Sequence, residues 1–204
     1  MIERIPIKEQ PKVIDTLEIA AGDFSLVQEM KRVADEQKKL LDFGANVVIS
    51  DYHSDLLADT RDDLRAGRSS QEKTLDNEIR VAIDNASMPF PDGSVKRIIS
   101  ANFFSSESAM HTEYRDGGNS LAIVKRYINE IRRVLAPGGY LFIHDTLSPE
   151  VSDFIIEEGL FDVDFEEVNI ESENGLGLDI ALVDQLKNRY GEQGIRGVKV
   201  FKKK

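Results

Sequence analysis

The 204 residues, 41% of them hydrophobic, are enough for one domain with a single buried core, so one domain spanning residues 1–204 is expected. With no cysteine the chain has no disulfide, thiolate metal site or cysteine nucleophile, and a formal net charge of −11 argues against a protein built mainly to grip nucleic acid. No apolar run is long enough to cross a bilayer, and MIERIPIKEQPK lacks the apolar middle of a secretion signal, which together predict a soluble, cytoplasmic protein.

Val13 to Ile19 is rich in β-formers and ends in the small-residue turn AAGD, which predicts a strand followed by a loop. From Ser25 to Phe43, Leu26, Val27, Met30, Val33, Ala34, Leu40 and Leu41 recur at helical spacing with charged residues between them, and Gly44 stops the helix. NVVIS, Asn46 to Ser50, predicts a second strand, so these segments make a β-α-β unit with parallel strands. Asp55 to Asn77 is polar, interrupted by Gly67 and Ser69-Ser70, and predicts a helix that breaks into a loop. Glu78 to Ile83 and Arg97 to Ala101 predict the third and fourth strands, on either side of the turn-rich PFPDGS.

After Asn119 the helical period returns in Leu121, Val124, Tyr127, Ile128, Ile131, Val134 and Leu135, is stopped by Pro137-Gly138-Gly139, and gives way to a fifth strand, Tyr140 to His144. Ser148-Pro149 opens a short helix ending near Gly159. Alternation of Phe161, Val163 and Phe165 predicts a sixth strand running through Ile170. A helix from about Leu178 to Tyr190 and a last strand, Gly197 to Phe201, complete the chain, leaving Lys202 to Lys204 as a solvated tail. Such alternation predicts an α/β fold, a doubly wound sheet covered on both faces, with ligands bound outside the carboxyl ends of its strands.

Three loop chemistries can be compared after the first strand. A phosphate-binding P-loop needs Lys followed by Ser or Thr after its second glycine, and the turn has neither. The dinucleotide fingerprint G-x-G-x-x-G finds only Gly22, and Asp51 lies twenty-nine positions past it, beyond the expected spacing of about twenty. The third chemistry is carried by four stretches in order: TLEIAAGDF, NVVISDY, RVAIDNASMPFPDGSVKRIIS and EIRRVLAPGGYLFIHD. Together, over roughly Val13 to Pro149, they resemble the motifs of class I S-adenosylmethionine-dependent methyltransferases.

That resemblance implies a single-domain Rossmann-like sheet of seven strands, mostly parallel with an antiparallel last strand, and S-adenosylmethionine as cofactor. It assigns the ribose hydroxyls to Asp51, whose carboxylate can accept from both in a charge-assisted way. It assigns adenine to Asp84 and Asn85, with Tyr52 offering an apolar face to the purine. Ala20, Ala21 and Gly22 would lie against the methionine half, Glu18 would fix their loop indirectly, and Ala101 would close the site from the fourth strand. Taken singly, Asp51, Asp84 and Asn85 are more often turn formers than ligands, and their joint placement at three successive strand ends is what favours the functional reading.

The polar stretch after the fourth strand, Phe103 to Gly118, stands where an acceptor would approach, and with Asn102 it supplies His111 and Tyr114 as substrate-side candidates. His53 and His144 receive no catalytic role, no general base is assigned, and no metal site is expected. Where the family's loop reads G-x-G-x-G, this chain holds Ala20, Gly22 and Phe24; where the family's fourth strand carries an acid, it holds Lys96 or Arg97. Only twelve residues precede Val13, so a lid over the site would come from elsewhere in the chain or from a partner subunit. The expected function is methyl transfer to a small-molecule acceptor. Two alternatives differ from it: a degenerate, non-catalytic domain acting as a binding or scaffolding subunit, motivated by Phe24, and a nicotinamide-dependent oxidoreductase.

Overall fold

The structure, a computed structural model, describes residues 13–19, 27, 30, 31, 35, 43–51, 78–101, 120–144, 163–168 and 198–204. Within them lie seven strands: β1 (Thr16–Ile19), β2 (Val47–Asp51), β3 (Glu78–Ala82), β4 (Val95–Ala101), β5 (Leu135–His144), β6 (Phe165–Glu167) and β7 (Val198–Lys203). A helix, α1 (Ser120–Val134), precedes β5. The strands form one sheet in the order β3-β2-β1-β4-β5-β7-β6. β1 to β5 pair in parallel, and β7 runs antiparallel to both β5 and β6. The expected sheet is therefore present, with the reversed strand inserted between β5 and the edge.

β1, β2 and β4 carry buried residues on both faces, as crossover connections demand, whereas the edge strand β6 buries Phe165 and exposes Glu166 and Glu167. On one side Leu17, Ile19, Val48, Ile98, Leu141 and Ile143 join Ile128, Ile131 and Val134 of α1 in the main core. Residues of opposite parity, among them Val47, Ile49, Ile99 and Phe142, are buried as well and occupy the other face. Of the helix expected from Ser25 to Phe43, Val27, Met30, Lys31 and Asp35 are described and helical. Val27 and Met30 are fully buried while Lys31 and Asp35 pair at 2.7 Å, one turn apart, so the apolar stripe faces inward as its spacing requires. The expected helices in 55–77, 148–159 and 178–190 lie outside the described residues.

Three local expectations change. The fifth strand begins at Leu135 rather than Tyr140: Val95 pairs with Leu135 and Arg97 with Tyr140, so Ala136 to Gly139 bulge out of a continuous strand, with Gly138 at φ 72°. β6 is shorter than expected, three residues rather than a run from Phe161. The C-terminal lysines are not a solvated tail. Lys202 and Lys203 belong to β7, and Lys203 Nζ donates to the carbonyls of Arg132 (2.5 Å) and Leu135 (2.7 Å), satisfying acceptors that the end of α1 leaves open.

The amino end of the sheet is tied by Asp15. Its Oδ2 accepts the backbone N–H groups of Ala45 (3.0 Å) and Asn46 (3.1 Å), and its Oδ1 accepts Lys96 Nζ at 2.7 Å. Lys96, where the resembled family has an acid, thus serves as the counter-ion of Asp15. Burial pushes the Asp15 carboxyl up, but the hydrogen bonds from Lys96 and Asn46, with the Lys96 charge, outweigh it and hold the group below the usual carboxylate range. A depressed folded pKa contributes stability that is present above the unfolded value and lost as pH falls through the folded one. The urea midpoint is therefore expected to fall with pH below about 4 and to fall less in Asp15→Asn; equal acid sensitivity in the variant would remove Asp15 from this role.

Candidate functional site

In an open parallel sheet a crevice forms where the strand order reverses, here between β1 and β4 at their carboxyl ends. Register decides what faces it. Ile19 lies level with Ser100, and Asp51 lies level with Ala82, with β2 one strand, about 4.8 Å, from β1. The carboxyl ends of β1, β2, β3 and β4 therefore open onto a single edge, bringing Glu18, Asp51, Asp84, Asn85 and Ala101 to it from four separate segments.

Glu18 is fully buried, and its Oε2 accepts the backbone N–H of Val27 at 3.4 Å. A buried carboxylate that accepts the amide of a helical residue ties β1 to the helix that follows it. Ser50, a residue with no expected role, donates Oγ–H to the Glu18 carbonyl at 2.9 Å and locks the ends of β1 and β2 together. A serine in an apolar strand, one residue before Asp51, was the only signal for it.

The connection from β3 to β4 is a built turn. Asp84 is exposed; its Oδ1 accepts Ala86 N–H at 2.8 Å and its carbonyl accepts Ser87 N–H at 2.9 Å, which is the turn-forming chemistry its residue type suggests. Asn85 beside it is buried, and its Oδ1 has no hydrogen-bond partner among the described residues. Ser100 Oγ, fully buried between Ile19 and Ile143, is likewise without one. Buried oxygens left unpaired cost about 1–3 kcal/mol each.

The turn is fastened from α1 by Glu130 and Arg133, two residues of the stretch EIRRVLAPGG to which the sequence assigns no role. Glu130 Oε2 accepts Met88 N–H at 2.8 Å, while Arg133 donates to the carbonyls of Met88 (2.8 Å) and Phe90 (2.7 Å), to Asp92 (2.8 Å) and to both oxygens of Glu130 (2.8 and 2.9 Å). The hydrogen bond from Arg133 lowers the Glu130 pKa against a smaller upward push from burial, and Glu130 in turn raises that of Arg133. A Glu-x-x-Arg pair at i, i+3 was the available signal, but it names no partner outside the helix.

Ala20, Ala21, Gly22, Phe24, Tyr52, Asn102, His111 and Tyr114 lie outside the described residues. Among the described residues no three His, Asp or Glu side chains gather into a metal-binding group, and no helix is long and apolar enough to cross a membrane.

A family model described as a methyltransferase domain matches residues 17–143. No curated protein matches the chain. Among solved structures, a putative sarcosine dimethylglycine methyltransferase from Galdieria sulphuraria superposes with a TM-score of 0.50 at 13% identity, over 94% of this chain and 78% of that one. A SAM-dependent methyltransferase from Aquifex aeolicus gives 0.46 at 18% identity, over 80% and 79%. At 13% identity the first of these likenesses is one of fold.

Proposed function

The chain belongs to the methyltransferase-domain family, whose model covers residues 17–143, and from that premise we propose that it is an S-adenosylmethionine-dependent methyltransferase acting on a small-molecule acceptor. The observation that supports this most is the convergence of the β1, β2, β3 and β4 ends, with Glu18, Asp51, Asp84 and Asn85, on the edge where the strand order reverses.

The donor and acceptor chemistry of these residues fits the cofactor. Asp51 accepts from the two ribose hydroxyls. Asp84 keeps its second carboxylate oxygen for the adenine amine, and Asn85 offers its backbone N–H to a ring nitrogen. Tyr52 lies against the purine, and Ala20, Ala21 and Gly22 let the chain approach the methionine half, with Ala101 opposite. Glu18 holds that loop by its grip on Val27. When bound, the cofactor supplies an electrophilic methyl group on a sulfonium. The chain's part is to orient the acceptor in line and exclude water, for which Asn102, His111 and Tyr114 are the candidates; orientation alone lowers such barriers by about 7–11 kcal/mol.

The test is thermal denaturation with S-adenosylhomocysteine. At a hundredfold excess over its dissociation constant the ligand is expected to add about 2.7 kcal/mol of stability. An unchanged melting temperature at millimolar ligand would overturn the reading. The degenerate alternative rests on Phe24 at the third glycine position, and Phe24→Gly separates the two: a gain of cofactor affinity favours the degenerate domain, whereas unchanged affinity with lower stability makes Phe24 a packing residue.

A further inference from the structure

We infer that Glu130 and Arg133 are positioning residues for base recognition: from α1 they hold the Asp84–Met88 turn so that it distinguishes a 6-amino from a 6-oxo purine. This rests on the cofactor reading above and adds to it a pair of residues that stand across the domain from the strand ends in sequence.

The geometry is closed on the helix side. A guanidinium has five N–H donors in a rigid fork, and all five of Arg133 are engaged: Nε and one from Nη2 with Glu130, the other from Nη2 with Met88, and two from Nη1 with Phe90 and Asp92. Glu130 uses the same oxygen that holds Arg133 Nη2 to accept Met88 N–H. The backbone closes the other end, because Gly93 N–H donates to the Arg133 carbonyl at 2.9 Å. Met88 and Phe90 are themselves buried in the core, so both ends of the segment from Met88 to Gly93 are pinned.

The segment before it inherits that rigidity. Asp84 caps Ala86 and Ser87 through one carboxylate oxygen and its carbonyl, and its exposed side chain holds out the second oxygen as the acceptor for the 6-position of the base. A carboxylate oxygen held in place is selective. It gains from an N–H donor and is penalised by another acceptor, and a 6-amino to 6-oxo change makes that exchange. Selectivity of this kind depends on the turn not yielding, since a turn free to move by an ångström would relieve the mismatch. A lysine at 133 keeps the charge but not the planar fork.

The experiment measures, by calorimetry, dissociation constants for S-adenosylhomocysteine and for its 6-oxo analogue, S-inosylhomocysteine, in the wild type and in Arg133→Ala, Arg133→Lys, Glu130→Gln and Arg132→Ala. The wild type is expected to favour the amino ligand by about tenfold or more. In Arg133→Ala the ratio moves toward equality, and in the milder Arg133→Lys and Glu130→Gln it falls part of the way. Arg132→Ala, whose guanidinium pairs with Asp164 at 2.8 Å on the other flank of α1, keeps the wild-type ratio. General loss of stability scales both affinities alike and leaves their ratio in place. A retained ratio in folded Arg133→Lys and Glu130→Gln, or an equal collapse in Arg132→Ala, overturns the inference alone; a wild type that binds neither ligand overturns the cofactor reading and the inference with it.

Discussion

Asp51→Ala is expected to weaken S-adenosylhomocysteine binding roughly ten- to hundredfold, the effect of removing a charge-assisted acceptor worth about 1.5–3 kcal/mol. The melting temperature of the free protein should scarcely move. The last residue of β2, in register with Ala82, contributes its backbone to the sheet whatever its side chain, and the core begins with Ile49 and Val48 behind it. Isothermal calorimetry on both proteins checks the first half and thermal denaturation the second. Undiminished affinity would remove Asp51 from the ribose, and a lost fold would make it structural. Asp51→Asn sharpens the result: it keeps one acceptor of similar shape without the charge, and an intermediate affinity is expected.

The largest effect on stability is expected at the opposite end of the sheet. Gly44→Ala should cost about 2–5 kcal/mol, from a left-handed backbone that disfavours a side chain by about 1–2 kcal/mol and from overpacking of about 1–3 kcal/mol. Gly44 has φ 83°, and a Cβ there would fall on the Asp15 Cβ and come within 2.8 Å of its Oδ2. The carboxylate that would have to move is the one that holds the amides of Ala45 and Asn46 and the Lys96 ammonium. Gly138→Ala is the control. Its φ of 72° is similar, but nothing lies within 4 Å of the added methyl, so only the backbone cost of about 1–2 kcal/mol remains. Urea denaturation of the two variants separates conformational strain from collision, and equal losses would show that Asp15 yields freely.

The two ends of the sheet are connected through register. Asp15 and Thr16 donate their backbone N–H groups to the Asn46 carbonyl at 3.0 and 3.3 Å, and Thr16 Oγ1 donates to the Phe43 carbonyl at 2.7 Å. These bonds set which residue of β2 stands beside each residue of β1, and a one-residue slip would turn Glu18 and Ser50 onto the wrong faces. A loop far from the proposed chemistry thereby determines the level at which Asp51 leaves the sheet.

Much of this was legible in the chain itself. Local periodicity announced the strands and α1, because alternation at two and recurrence at 3.6 residues are set by which face of each element must be buried. The β-α-β spacing implied parallel pairing, and Asp51, Asp84 and Asn85 could be marked because polar residues that end buried strands are visible without partners. What the sequence left open are the meetings between distant segments. Glu130 and Arg133 lie in the stretch EIRRVLAPGG without an assignable role until folding places Met88 and Phe90, more than forty residues earlier, against them. Lys203 read as a tail until β7 slid between β5 and β6 and carried it to the end of α1. Asn85 could be marked as an adenine or turn residue, but only packing buried its side-chain oxygen away from every donor among the described residues. Periodicity reports the side a residue shows to its own element; the partner it finds there depends on strand order and register, which the burial of the whole core decides at once.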